Sequence, residues 1–215
     1  PTVVNNVETF ASAALVALHG GERFAAHGTE KSSGSKILSV SGDCERPGLY
    51  EYPFGVTVRQ VLEDCGATDT QAVQISGPSG ICVAAEEFGR RIAVEDLATA
   101  GAFMVFDESR DMFGVARNFA HFFAHESCGF CTPCRVGTTL VRNLMDKIAR
   151  GHGSPYDINE LFKLHRVMQG ASHCGLGNSA CNPVFDTLNK FRPAYERRLK
   201  SLDYEPAFDL DAALS

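Results

Sequence analysis

Apolar and polar positions alternate or recur along this chain in a way that changes character halfway. Val7 to Leu18 (VETFASAALVAL) repeats its apolar residues at helical spacing and stops at Gly20-Gly21, which predicts a connecting helix. Lys36 to Gly42 (KILSVSG) alternates with period two, and GLYEYP alternates again after Arg46-Pro47-Gly48, so a hairpin is expected. TVRQVLEDCGA carries Thr57 as N-cap, sets Val58, Val61, Leu62 and Cys65 on one face and ends at Gly66. Two further strand-like runs follow, Ala72 to Ser76 and Ala102 to Asp107. The expected order is strand, strand, helix, strand, strand: a small α+β domain.

From Asp111 the period becomes helical throughout. Met112, Val115, Phe119, Phe122 and Phe123 mark one helix to His125, and Pro133 opens a second that runs to Arg150 before Gly151. Ser154-Pro155-Tyr156-Asp157 reads as a capping box for a third, with Ile158, Leu161, Leu164, Val167 and Met168 inward. Asn182-Pro183 starts a fourth, broken or kinked near Pro193. Four helices on short loops predict an all-α four-helix bundle. The acidic tail from Asp203 reads as an exposed extension.

Composition narrows the function classes. Over 215 residues, 20 Lys and Arg against 26 Asp and Glu leave a net charge of -6, which gives no electrostatic footprint for nucleic acid. The longest apolar run, Phe10 to Leu18, is well short of the roughly 20 residues of a spanning helix, so no membrane insertion is expected. The chain starts at Pro1 without an initiator Met or a leader-like segment and reads as part of a longer polypeptide.

The 8 cysteines carry the chemistry. Cys128, Cys131 and Cys134 form C-x2-C-x2-C within ESCGFCTPCR, and Cys174 and Cys181 follow at a distance. Structural zinc sites favour paired knuckles, whereas a tight triple with one remote cysteine suits a cubane iron-sulfur cluster in a reducing compartment, here the cytoplasm. Gly129 lets the backbone come close, Pro133 starts a helix whose N-terminal dipole end faces anionic thiolates, and Arg135 adds positive charge. The fourth ligand is Cys174 or Cys181. Cys174, in the Gly-rich stretch SHCGLG, is preferred because backbone amides there can bond to sulfur, while Cys181 at the entry of the last helix reads as a small buried hydrophobe.

Cys44, Cys65 and Cys82 are isolated and read as packing thiols. His121 and His125 stand four apart on one helix, but no third ligand accompanies them, and His173 adjoins Cys174. No nucleophile elbow, P-loop, paired carboxylate or dinucleotide fingerprint is present. A cluster with four cysteine ligands has no open position for substrate, so single-electron transfer is the expected role. A structural zinc domain that docks partners is the competing reading.

The stretches PTVVNNVETF, ESCGFCTPCRVGT and SHCGLGNSACNP resemble the C-terminal half of the NADH-binding flavoprotein subunit shared by respiratory complex I, NAD-reducing hydrogenases and NAD-dependent formate dehydrogenases. The diaphorase subunit of NAD-reducing hydrogenases is the nearest in likeness. The resemblance implies a segment ending a flavin domain (1–32), a β-grasp domain of the soluble-ligand-binding type (33–108), a helical [4Fe-4S] domain (109–203) and a C-terminal tail (204–215). It makes Cys128, Cys131, Cys134 and Cys174 the cluster ligands and Asn5 and Asn6 contributors to an FMN pocket. FMN and NAD(H) belong to the full-length subunit, and further iron-sulfur subunits of a redox complex are the implied partners.

Overall fold

The computed structural model describes residues 1–200; the tail expected over 204–215, and the end of the segment 109–203, lie outside the described residues. The chain forms two compact units, one of residues 1–110 and one starting at Asp111.

The first unit opens with α1 (Val7–His19), capped by the Asn6 side chain, which accepts from the Glu8 N–H, and then α2 (Gly21–Ala25). Glu8 fastens α1 to the sheet, because its carboxylate accepts from the Lys36 ammonium and, at 2.9 Å, from the Ile37 N–H. Strands β1 (Ser35–Gly42), β2 (Gly48–Pro53), β3 (Thr70–Ile75), β4 (Ile81–Ala84) and β5 (Ala102–Asp107) form one mixed sheet in the order β2-β1-β5-β3-β4. Only β1 and β5 run parallel. Helix α3 (Val58–Cys65) has the Thr57 cap and Gly66 stop that its sequence predicts, and it buries Val58, Val61, Leu62 and Cys65. These pack with Leu38, Val40, Val73, Phe103 and Val105 of the sheet into one core.

Three elements depart from the expected pattern. Strand β4 was not foreseen: Ile-Cys-Val-Ala is a continuous apolar run without alternation, which pairing with β3 makes a strand. Strand β3 starts at Thr70 rather than Ala72 and ends at Ile75, since Ser76 turns out of the strand at φ 73°. The five-residue helix α2 has no sequence period of its own.

The second unit holds α4 (Met112–Glu126), α5 (Thr132–Ala149), α6 (Pro155–Ala171), α7 (Gly175–Ser179), α8 (Asn182–Lys190) and α9 (Arg192–Glu196). The expected last helix is two, since the chain breaks at Phe191 before Pro193. Among the described residues no helix is long and apolar enough to cross a membrane. Phe113, Phe123, Val141, Met145, Ile158, Leu161, Met168, Val184, Leu188 and Tyr195 share one core. Phe113 meets the Tyr195 ring edge-on at 5.0 Å, and the Tyr195 hydroxyl lies 2.7 Å from Thr187 Oγ1. Asp111 caps α4 and takes Arg197 at 2.7 Å and Arg198 at 2.6 Å, drawing the end of α9 back to the start of the unit.

One buried charge secures the α5–α6 turn. Asp157 accepts from Lys147 Nζ at 2.7 and 2.9 Å and from the Ser154 N–H at 2.8 Å. Burial pushes its pKa up, but these hydrogen bonds outweigh burial and hold the carboxyl below its ordinary value. Asp157→Ala is expected to lower stability by about 1–2 kcal/mol, because it leaves the half-buried Ser154 N–H and the partly exposed Lys147 ammonium without their acceptor. Urea denaturation at neutral pH checks this, and a loss within error of zero would show that the pair contributes nothing net.

Candidate metal centre

Between α4 and α5 the chain has to reverse while presenting three thiols. Ser127 leaves α4 in extended conformation, Gly129 takes φ 76°, a left-handed value that favours glycine, and Cys131 is the N-cap of α5. Pro133 stands in the first turn of α5, where a missing N–H costs nothing. Arg135 then ties the reversal together: its Nη1 donates to the Gly129 carbonyl at 2.5 Å and its Nη2 to Thr132 Oγ1 at 3.3 Å. The residue read as a source of positive charge therefore also staples the loop.

The second segment arrives from α6. After Ser172, Cys174 is the N-cap of α7, so the stretch expected to be a Gly-rich loop is instead a short helix. Three contacts bring it to the triple. The His173 N–H donates to the Cys131 sulfur. The rings of Phe130 and His173 meet edge-on at 5.5 Å. Gly177 lies so close to α5 that a Cβ there would sit 3.0 Å from Cys134 Cβ and 2.5 Å from the Ser172 side chain. The His173 N–H, assisted by the Cys134 N–H and more weakly by the Arg135 charge, holds the Cys131 thiol below its ordinary pKa.

Exposure divides the thiols. Cys128 and Cys174 are exposed, whereas Cys131 and Cys134 are buried at 8% and 4%. The Ser127 hydroxyl lies 3.2 Å from the Cys134 sulfur, and the buried Ser172 hydroxyl has no hydrogen-bond partner. Four thiols on two converging segments, with a buried hydroxyl left over beside them, fit a thiolate-bound metal group. Among the described residues, no three His, Cys, Asp or Glu side chains are drawn together around a single ion.

Cys181 is placed differently. It is packed in the core as the N-cap of α8, its thiol donates to Met168 Sδ at 3.4 Å, and burial pushes its pKa up to about 12. A ligand must be a thiolate, which that environment opposes. The two histidines four apart on α4 go separate ways, His121 to Asp146 at 2.8 Å and His125 to Glu126 at 3.0 Å. Asn5 and Asn6 belong to the first unit, where Asn6 caps α1 and Asn5 Oδ1 accepts from the Asn6 N–H at 2.8 Å. Sequence reasoning did not find Ser127, Ser172 or the His173 amide, because no spacing rule marks a hydroxyl or backbone group that faces sulfur.

Comparison with known proteins places this geometry in context. Residues 114–198 match the model of the NADH-ubiquinone oxidoreductase-F iron-sulfur binding region. The NAD-reducing hydrogenase HoxS subunit alpha of Cupriavidus necator is 42% identical over 217 residues, covering 100% of this chain and 36% of that protein. The NADP-reducing hydrogenase subunit HndC of Solidesulfovibrio fructosivorans is 36% identical, over 91% of this chain and 42% of its own length. A crystal structure of an NAD+-reducing [NiFe]-hydrogenase in the H2-reduced state superposes with a TM-score of 0.91 at 47% identity, covering 100% of this chain and 38% of that one. The chain thus spans less than half the length of the relatives it matches.

In the metal-free chain, Cys128 and Cys174 should react with iodoacetamide about ten-fold or more faster than Cys134 and Cys181, since the reagent reaches only the exposed thiols directly. Peptide mass spectrometry over a time course reads the order. Equal rates for all four would contradict the burial described.

Proposed function

We propose that the chain, whose residues 114–198 match the NADH-ubiquinone oxidoreductase-F iron-sulfur binding region, is the electron-relay section of an NAD(H)-linked oxidoreductase, holding one [4Fe-4S] cluster on Cys128, Cys131, Cys134 and Cys174. The observation that carries this reading is the hydrogen bond from the His173 N–H to the Cys131 sulfur, which sets Cys174 beside the C-x2-C-x2-C turn. When bound, such a cluster passes one electron at a time and so connects a two-electron flavin to single-electron carriers.

The chain's own residues supply the environment. The N-terminal end of α5 directs its dipole at the thiolates, the His173 and Cys134 amides stabilise negative charge on the Cys131 sulfur, and the Ser127 hydroxyl does so at Cys134. Cys131 and Cys134 are buried, and Cys134 lies against Gly177, which keeps water from that side of the site.

The parent activity we propose is the diaphorase reaction of an NAD-reducing hydrogenase, with the corresponding subunits of NAD-dependent formate dehydrogenase and complex I as the other members of the same class. In that reading FMN and NAD(H) bind to the full-length subunit, Asn5 and Asn6 contribute to the flavin pocket, and electrons pass to iron-sulfur subunits of the same complex in the cytoplasm. The mixed sheet with α3 across it supports reading residues 33–108 as a β-grasp domain. The long helices α4, α5 and α6 with α8 support a four-helix bundle within 109–203.

Replacing Cys128, Cys131, Cys134 or Cys174 by Ser should each remove half or more of the bound iron, because a hydroxyl is a poor ligand where iron takes thiolate. Cys181→Ser should keep it. Iron and acid-labile sulfide analysis of the five variants decides: iron lost only in Cys181→Ser overturns the ligand choice, and stoichiometric zinc without sulfide replaces the relay by a docking domain.

A further inference from the structure

Far from the cluster ligands in sequence, the first unit brings two other thiols together. Cys65 is the last residue of α3 and has no exposed surface; Cys44 lies half-buried in the turn between β1 and β2 and packs on the same core. The turn is laid against the end of α3 by its main chain. The Arg46 N–H donates to the Cys65 carbonyl at 2.9 Å and the Glu45 N–H to the Gly66 carbonyl at 3.4 Å. The Arg46 guanidinium adds two bonds to the Asp64 carbonyl, at 3.2 and 3.0 Å. These bonds lay residues 44–46 alongside Cys65 and Gly66, with Cys44 near enough to help raise the Cys65 pKa, and the Cys65 thiol donates to the Leu62 carbonyl at 3.3 Å.

We propose that Cys44 and Cys65 are a redox-active dithiol that closes to a disulfide by exchange with a low-molecular-weight disulfide of the glutathione type. Packing alone accounts for one buried thiol at the end of α3, but not for a second, half-exposed thiol in the turn that four hydrogen bonds anchor to that end of the helix. In a reducing compartment, a pair of this kind is characteristically transient and redox-sensing rather than structural.

The step balances as two exchanges. The Cys44 thiolate, the accessible one, attacks one sulfur of the small disulfide; that S–S bond breaks, a mixed disulfide forms on Cys44 and one small thiolate leaves. The Cys65 thiol then gives up its proton and attacks the Cys44 sulfur, the mixed S–S bond breaks, and the second small thiol leaves. Two electrons pass from the protein thiols to the small disulfide, and the two thiol protons end on the two released thiols. Burial, and next to it the neighbouring Cys44, pushes the Cys65 pKa up to about 11, which keeps Cys65 protonated and at rest until Cys44 has been converted. Closure fastens the turn to α3, next to Asp43, whose carboxylate binds Arg110 at 2.6 and 2.8 Å.

The test treats the chain, anaerobically and with its cluster in place, with glutathione disulfide, blocks residual thiols with iodoacetamide and digests with trypsin. Trypsin does not cut before Pro47, so Cys44 lies on peptide 37–59 and Cys65 on peptide 60–90. The expected result is a cross-linked pair of these peptides, lighter by two hydrogens than their sum, abolished by dithiothreitol and absent from Cys44→Ser. Cys65→Ala should accumulate glutathione on Cys44 as the arrested intermediate, which reports the exchange even if the linked species is lost through misfolding of another variant. Unchanged visible absorption during the reaction would show that the cluster thiols take no part. The proposal is overturned if the wild type carries glutathione on Cys44 with no linked peptide, if Cys44 stays unmodified, or if the link persists in Cys65→Ala through Cys82.

Discussion

Three thiols within seven residues can face one centre only if the chain reverses and begins a helix at once. Everything in the second unit is arranged around that requirement. Gly129 supplies the left-handed turn, Cys131 and Pro133 start α5, and Arg135 closes the loop onto its own helix. Met168 stands one turn before the Ser172 cap, where the chain leaves α6 toward Cys174. A Cβ on Gly137 of α5 would sit 2.4 Å from Met168 Sδ, and Cys181 of α8 donates to the same sulfur, so α5, α6 and α8 are in register through one side chain.

Electrostatics follows from the geometry. Around Cys131 and Cys134 the chain places a helix N-terminus, main-chain N–H groups and one hydroxyl rather than a cluster of cations. The guanidinium that stands nearest is spent on carbonyls of the loop. Fixed dipoles of this kind need little rearrangement when an electron arrives or leaves, which suits a relay.

Local patterns carried much of this into view before any coordinates. The Thr57 cap, the apolar face of α3 and the Gly66 stop are readable because all their determinants lie within ten residues. The same holds for β2, for α4 to α6, and for the C-x2-C-x2-C turn. Elements whose stability is tertiary were not readable: β4 exists because β3 offers it an edge, and α7 (Gly-Leu-Gly-Asn-Ser) has poor helix formers and is held by Gly177 against Cys134. Cys44 and Cys65 looked like unrelated packing thiols, because a contact across a turn and a helix leaves no period in the sequence. The preference for Cys174 over Cys181 rests in sequence on a glycine-rich stretch; in the structure that stretch is the helix α7, with Cys174 exposed and Cys181 buried, a difference that no spacing in the sequence reveals.

The central claim is that these four cysteines hold a cubane cluster that changes by one electron. Electron paramagnetic resonance of the chain before and after dithionite tests it most directly. The account predicts a brown protein that bleaches on reduction and develops a signal integrating to one spin per chain. A colourless protein, silent in both states and carrying one zinc, would contradict it.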